Sequence, residues 1–310
     1  MSRILVTGAF GYLGLAVIRA LAPRGVVALG HAPRNPAARA VIPQGVEVLE
    51  GDLLDVGRLL EGRTIDRVVH LAGGGGPAKI VAEPAAAIRN NVRATTELAA
   101  VAKARGVKRL LFASTIAVYG TNRDHGRPYA ESDEPMPDDP YGVIKEAAEH
   151  AWVALAGGTS LRIANIYGAG AGVDLGLQGA VERFARAAAT SGELSIFGTG
   201  DQRIDYVHVD DVARAFALAL DVNDTLPPVI NIGGGNPIRI GELAERSFAA
   251  GRNAGRSPTL VSKPPPPGKS WPDRSLDITL ASHALGWAPQ ISYDAGIAEL
   301  VRMMLQGAST

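Results

Sequence analysis

The segment that most restricts the fold lies at the N-terminus, where the apolar run Ile4-Leu5-Val6 passes directly into Thr7-Gly8-Ala9-Phe10-Gly11-Tyr12-Leu13-Gly14 and a helical pattern to about Leu21. A short buried strand that turns straight into a helix is the first half of a βαβ unit. The glycines fall where such a turn needs them. Gly8 permits the tight turn, Gly11 lets the backbone approach a pyrophosphate, and Gly14 lets helix pack closely on strand. The N-terminus of the helix favours the negative charge that would sit there. A glycine-rich turn alone carries little weight, but this one has the strand before it and the helix after it.

The alternation continues down the chain. Residues 26–29, 46–49, 68–71 and 110–113 are apolar runs of strand length, and 86–105 is a long helical pattern that Gly106 ends. Continuous apolar runs separated by helices predict a parallel sheet covered on both faces, an α/β fold of the doubly wound Rossmann type. At 310 residues and 46% hydrophobic, the chain can bury a large core and leave enough length for a smaller C-terminal lobe.

A second signal follows at Pro140-Tyr141-Gly142-Val143-Ile144-Lys145, where the four-residue spacing puts a phenol and an ammonium on one face of a helix. Asp139 suits the cap of that helix and Pro140 its first turn, which predicts Tyr141 near the mouth of a cleft. A tyrosine with the ordinary pKa of about 10 is a poor acid–base group at neutral pH, and a nearby cation lowers that value by stabilising the phenolate. Tyr-x-x-x-Lys also arises by chance as a surface pair. Its weight here comes from the glycine turn upstream.

Composition removes several function classes. Net charge is zero, with no basic stripe for nucleic acid and no apolar run long enough to span a bilayer. Met1-Ser2-Arg3 leads straight into the first strand without a signal-peptide pattern. The absence of cysteine excludes disulfides and thiol nucleophiles and fits a reducing cytoplasm. The six histidines show no metal-ligand spacing, so no metal is expected. The only low-complexity tract, Lys263-Pro264-Pro265-Pro266-Pro267-Gly268-Lys269, reads as a stiff surface connection.

Further segments then fall in a recognisable order: Gly51-Asp52-Leu53, His70-Leu71-Ala72-Gly73, Asn91, Ser114-Thr115-Ile116-Ala117-Val118-Tyr119-Gly120, Leu161-Arg162-Ile163-Ala164-Asn165-Ile166-Tyr167-Gly168, Tyr206-Val207-His208-Val209-Asp210-Asp211 and Leu285-Gly286-Trp287. With the glycine turn and the Tyr141–Lys145 pair, they resemble the extended short-chain dehydrogenase/reductases, and best their NAD-dependent epimerase/dehydratase branch. The resemblance covers nearly the whole chain. It implies a dinucleotide-binding domain over 1–165, rejoined by about 204–233, and a nucleotide-sugar lobe from 166–203 and 234–310. It also implies a cytoplasmic homodimer acting on a nucleotide-diphosphate sugar.

Carried over position by position, the resemblance makes Tyr141 the general acid/base and Lys145 both its pKa partner and a ligand of the nicotinamide ribose. Thr115 takes the place of a catalytic Ser/Thr whose hydroxyl bonds the reacting sugar oxygen. The implied dinucleotide contacts are Gly8, Phe10, Gly11, Tyr12, Leu13, Gly14, His31, Arg34, Asp52, Leu53, Leu71, Ala72, Gly73, Asn91, Ser114 and Ile163, with Tyr141 and Lys145. The implied substrate contacts are Thr115, Asn165, Ser195, Phe197, Arg203, Lys269 and Arg274, with Phe197 equally readable as plain core. His208 reads as structural, since Tyr206–Asp211 looks like a strand leading into a helix.

Departures from the pattern narrow the reaction. Branch members that dehydrate or decarboxylate sugars carry acids just after the catalytic Ser/Thr, whereas Ile116 and Ala117 follow Thr115, and no thiol is present for epimerisation at C3 or C5. Chemistry at one carbinol carbon remains: a 4-epimerase or an NADPH-dependent 4-keto-sugar reductase. The cofactor stays open between NAD and NADP. Leu29 is followed by Gly30-His31-Ala32-Pro33-Arg34 instead of an acid for the ribose hydroxyls, so Gly30 leaves room for a 2′-phosphate that His31 or Arg34 would neutralise. The branch often sets an Arg before its Asp–aromatic pair to bind diphosphate. Here Ile204 holds that place and Arg203 lies one residue earlier. A redox-sensing dinucleotide-binding regulator is the alternative from another class; it would keep the glycine turn but has no need of Thr115, Tyr141 and Lys145 together.

Overall fold

The computed structural model describes residues 3–33, 35–73, 77–121, 127–172, 175, 179–266 and 272–307. Seven of the apolar runs form one parallel sheet: β1 (Ile4–Thr7), β2 (Val26–Gly30), β3 (Glu47–Glu50), β4 (Arg67–His70), β5 (Arg109–Thr115), β6 (Thr159–Ile163) and β7 (Val229–Ile232). Their order across the sheet is β7-β6-β5-β4-β1-β2-β3. The chain winds outward from β1 in one direction, then returns and winds outward from β4 in the other. Such a reversal opens a crevice at the carboxyl ends of the two central strands.

Both faces of the sheet are covered. Leu5, Val27, Leu29, Val68, Phe112 and Trp152 belong to one core, while Ile4, Val6, Ala28, Val69, Leu111 and Phe216 belong to another. Adjacent residues of β1 thus divide between the two faces, as the two-residue period of a strand requires. A third core joins Phe184, Leu243, Ile297 and Leu300 from the helices Ala180–Ala189, Ile240–Asn253 and Tyr293–Gly307. The strand edges differ by one or two residues from the apolar runs, because hydrogen bonding continues to polar ends such as Thr115.

The helical pattern over 86–105 is not one regular helix. It comprises Pro84–Ile88, a π-turn Arg89–Arg93 and Ala94–Ala104. The π-turn carries buried Asn91, and such turns often lie at functional sites. His208 caps the helix Val209–Asp221, its Nδ1 accepting from the Asp210 amide at 3.2 Å.

Asp211 fastens the C-terminal segment to this frame. Buried, it accepts from the backbone amides of Gln290 at 3.0 Å and Ile291 at 2.9 Å and from Arg214 at 2.8 Å, while its carbonyl accepts from Trp287 Nε1 at 2.9 Å. Removing the carboxylate strands two amides that have no other partner among the described residues, and each unmet group costs roughly 1–3 kcal/mol. Asp211→Ala should therefore lower unfolding free energy by about 2–4 kcal/mol in urea titrations. A loss below about 0.5 kcal/mol, the size typical of surface substitutions, would contradict this role.

Candidate active site

Backbone geometry at the switch point assembles the site. Gly8 has φ +70°, and a Cβ added there would lie 2.7 Å from the Ala72 amide nitrogen, on the loop after β4. A Cβ on Gly14 would lie 2.1 Å from the Gly8 carbonyl oxygen. Gly11 caps the helix Tyr12–Leu21, which has no side-chain cap and no acid in its first turn. These are the properties of an anion cradle at a helix N-terminus. Thr7 braces it: Oγ1 accepts from the Ala72 amide at 3.2 Å and lies 2.7 Å from His70 Nδ1, while His70 Nε2 lies 2.8 Å from Thr95 Oγ1.

The second half of the site is built on β5. Thr115 ends the strand and its Oγ1 accepts from the Ala117 amide at 3.2 Å, starting the turn Ile116–Tyr119. Against that turn rests the first turn of the helix Pro140–Ala156, where a Cβ on Gly142 would meet the Ala117 carbonyl oxygen at 2.6 Å. Asp139 Oδ1 caps the helix by accepting from the Gly142 amide at 2.7 Å, a bond typically worth about 1 kcal/mol. The close approach brings the half-buried Tyr141 phenol beside the Thr115 hydroxyl, which favours the phenolate. One turn on, Lys145 Nζ donates to the Ala113 carbonyl at 2.6 Å and lies 4.1 Å from the centroid of the Phe112 ring.

Electrostatics correct the expectation from spacing. Burial pushes the Tyr141 phenol above its ordinary value and Asp139 adds to this, with the Thr115 hydroxyl pulling the other way. Burial also takes Lys145 down to about 8, opposed by Glu149. Desolvation thus sets the direction of the phenol's shift, and the ammonium expected to lower it is directed at the Ala113 carbonyl.

Both halves open into a cavity of about 490 Å³ lined by Leu13, Leu71, Gly73, Asn91, Ala113, Ser114, Thr115, Ile116, Ala117, Asp139, Tyr141, Lys145, Ile163, Ala164, Asn165, Ile166 and Arg274. Ser114 Oγ is buried without a hydrogen-bond partner among the described residues. The unpartnered hydroxyl, the glycine cradle and the uncapped helix N-terminus fit a dinucleotide. Arg274 is the cavity's only guanidinium. Its backbone donates to the Arg203 carbonyl at 3.1 Å, whereas the guanidinium itself has no hydrogen-bond or ion-pair partner among the described residues, and burial lowers its pKa while Asp139 and Asp138 oppose.

Other expected contacts lie elsewhere. Tyr12 donates its hydroxyl to the Gly168 carbonyl at 2.6 Å and serves as a strut. The Phe10 ring comes within 3.1 Å of where a Gly30 Cβ would stand. Leu53 is core. Asp52 accepts from the Leu54 amide at 3.0 Å and pairs with exposed Arg89 at 2.9 Å, with His31 nearby. Ser195 donates to Glu193 at 2.6 Å, and Arg203 is exposed, its amide held by Asp273. Neither lines the cavity. Phe197 is half-buried beside a separate cavity of about 440 Å³ with Gln202 and Asp273. Arg34 and Lys269 lie outside the described residues.

Some lining residues escaped the sequence reading. Asp139 was read only as a cap, although a cap beside Tyr141 must share its cleft. Ala113 carries no polar signal, since it contributes a backbone carbonyl, and Phe112, buried beneath Lys145 outside the lining, contributes only a ring face. Among the described residues no three metal-ligating side chains gather, and no helix is long and apolar enough to cross a membrane.

Comparison with known proteins agrees with this architecture. The UDP-glucose 4-epimerase of Streptomyces lividans is 32% identical over 268 residues, covering 78% of this chain and 79% of the relative. The dTDP-6-deoxy-L-talose 4-dehydrogenase (NAD(P)(+)) of Kitasatospora kifunensis is 30% identical, covering 96% of this chain and 94% of the relative. The crystal structure of UDP-glucose 4-epimerase from Thermotoga maritima with UDP-glucose superposes with a TM-score of 0.86 at 30% identity over 99% of both chains. The family model for NAD dependent epimerases/dehydratases matches residues 4–233, and the chain belongs to the NAD dependent epimerase/dehydratase family.

Proposed function

We propose that the chain is a nucleotide-sugar 4-epimerase that keeps NAD bound at the glycine cradle. The observation that carries this reading is the convergence of Thr115, Tyr141 and Lys145 on one cavity whose wall beyond Thr115 is the aliphatic pair Ile116 and Ala117. That wall offers no second acid for elimination or decarboxylation. NAD, when bound, supplies a reversible hydride acceptor. The chain supplies proton transfer and orientation. Tyr141 Oη takes the proton of the sugar C4 hydroxyl as that carbon is oxidised, and returns it when the ketone is reduced on its opposite face. Thr115 Oγ1 holds the same oxygen, and the Lys145 ammonium offsets the phenolate charge. In a site removed from water that attraction is stronger than it would be in bulk solvent.

Gly8, Gly11 and Gly14 would hold the pyrophosphate, and Asn91, Ser114, Lys145 and Ile163 the nicotinamide end. The NAD dependent family to which the chain belongs favours NAD over NADP. Arg274 would hold the sugar diphosphate. The division of the chain at 1–165 with 204–233, against 166–203 with 234–310, then separates dinucleotide from nucleotide-sugar contacts. The neutral charge and absence of cysteine support a cytoplasmic enzyme, and exposed Val81, Ile88 and Val143 on the helices Pro77–Ala82, Pro84–Ile88 and Pro140–Ala156 support pairing of two copies.

A 4-keto-sugar reductase is the second reading, favoured by the 4-dehydrogenase relative that matches along 96% of the chain. The cycles differ in hydride accounting. With nucleotide-hexoses and no added cofactor, the epimerase forms the C4 epimer by NMR with no net change in reduced-nicotinamide absorbance. Strict dependence on added NADPH, consumed one-for-one with a 4-keto sugar, overturns it in favour of the reductase.

Tyr141→Phe removes the transferable proton and keeps the ring. Turnover should fall by ~10²–10⁴, the usual range for a placed proton-transfer group, with dinucleotide affinity by calorimetry nearly unchanged. Retention of more than half of wild-type turnover would remove Tyr141 from the reaction.

A further inference from the structure

Tyr141, Lys145 and Glu149 follow one another at four-residue steps on a single face of the helix Pro140–Ala156. Glu149 is only 2% exposed. It is held from β6 by Arg162, with Nε 3.2 Å from both carboxylate oxygens and Nη2 2.5 Å from Oε1. Arg162 in turn lies 4.7 Å from the centroid of the Tyr119 ring. The carboxylate is fixed one turn behind the Lys145 ammonium and cannot swing into solvent.

A buried ion pair is a poor source of net stability, because desolvating two charges offsets most of their attraction and well-packed apolar residues often do as well. Its place suggests another task. Among the described residues, the groups placed near Lys145 are the Ala113 carbonyl and Phe112 ring on β5, His70 on β4, Gly73 with Asn91 beside it, and, on its own helix, Tyr141 one turn before and Glu149, with its partner Arg162, one turn after. His70 is neutral in this setting, since burial and then Lys145 push it down to about 3. Asp139 lies beyond Tyr141 and acts on the phenol. Among the described residues Glu149 is the carboxylate that opposes the desolvation of Lys145.

We propose that Glu149 is a positioning residue that keeps Lys145 in its ammonium form inside a dry site, with Arg162 fixing the carboxylate behind it. The proposal rests on the reading that Lys145 works as an ammonium beside Tyr141, but its test reads Lys145 directly and needs no substrate. Failure of Tyr141→Phe to slow turnover would refute the catalytic reading and leave this titration untouched.

The chain has six lysines, so NMR of protein labelled with ¹³C at lysine Cε resolves them, and loss of one signal in Lys145→Arg identifies Lys145. Wild-type protein should titrate at about 8 at this position. Glu149→Gln should lower the midpoint by roughly one unit, as expected when an opposite charge at close range is removed, and Glu149→Asp should restore most of it. Glu149→Gln leaves Arg162 buried and unpaired, so Glu149→Met with Arg162→Met provides a version that removes the carboxylate without stranding a cation. It should lower the midpoint as well. A Lys145 midpoint unchanged from wild type in whichever of the two variants folds overturns the proposal.

Discussion

A methyl group on Gly14 would stand 2.1 Å from the Gly8 carbonyl oxygen, and one on Gly8 would stand 2.7 Å from the Ala72 amide nitrogen, on a backbone already at positive φ. Backbone therefore meets backbone where β1 gives way to its helix and where β4 ends. No side chain fits between them. This contact brings the helix N-terminus and the Leu71–Gly73 loop to the same edge of the sheet, where the proposed function has the dinucleotide held. The same device recurs at Gly142, whose missing side chain lets the Tyr141 helix rest on the turn after Thr115. Close approach at two places sets the distance between the glycine cradle and the Tyr141–Lys145 pair.

Within that frame, burial and charge oppose one another. Tyr141 is pushed up and Lys145 down, so both are driven toward their neutral forms. The protein counters with fixed groups: the Thr115 hydroxyl on the phenol, and the Ala113 carbonyl, Phe112 ring and Glu149 carboxylate on the ammonium. A dry site makes each of these contacts stronger than it would be in water, and that increases their effect on a phenolate formed during reaction.

The sequence carried much of this because the features concerned are local. A strand, a glycine turn and a helix occupy adjacent residues, and the Asp139 cap with Tyr141 and Lys145 spans seven. The sheet's alternation with helices was equally legible from apolar runs. What escaped depends on contacts distant in sequence. The π-turn at Arg89–Arg93 interrupts a pattern whose composition is simply helical. The Phe10 ring beside Gly30 comes from the turn after β1, and such a neighbour is not legible from the glycine alone. Ser195 and Arg203 were placed by resemblance, and their side chains turn to local partners or solvent. The sign of the Tyr141 shift was missed because spacing reports which charges are near and is silent on how much water is gone.

The central claim is that one carbon of a bound sugar is oxidised and then reduced by the same hydride. A nucleotide-hexose carrying deuterium at C4 tests it most directly, with the epimer analysed by mass spectrometry and NMR after turnover in ordinary water. The account predicts that the product keeps its deuterium at C4, because the label leaves and returns without meeting solvent. Loss of the label to water would contradict it, showing that the carbon is inverted by proton exchange and that the cradle and the Tyr141 site do not act together in hydride transfer.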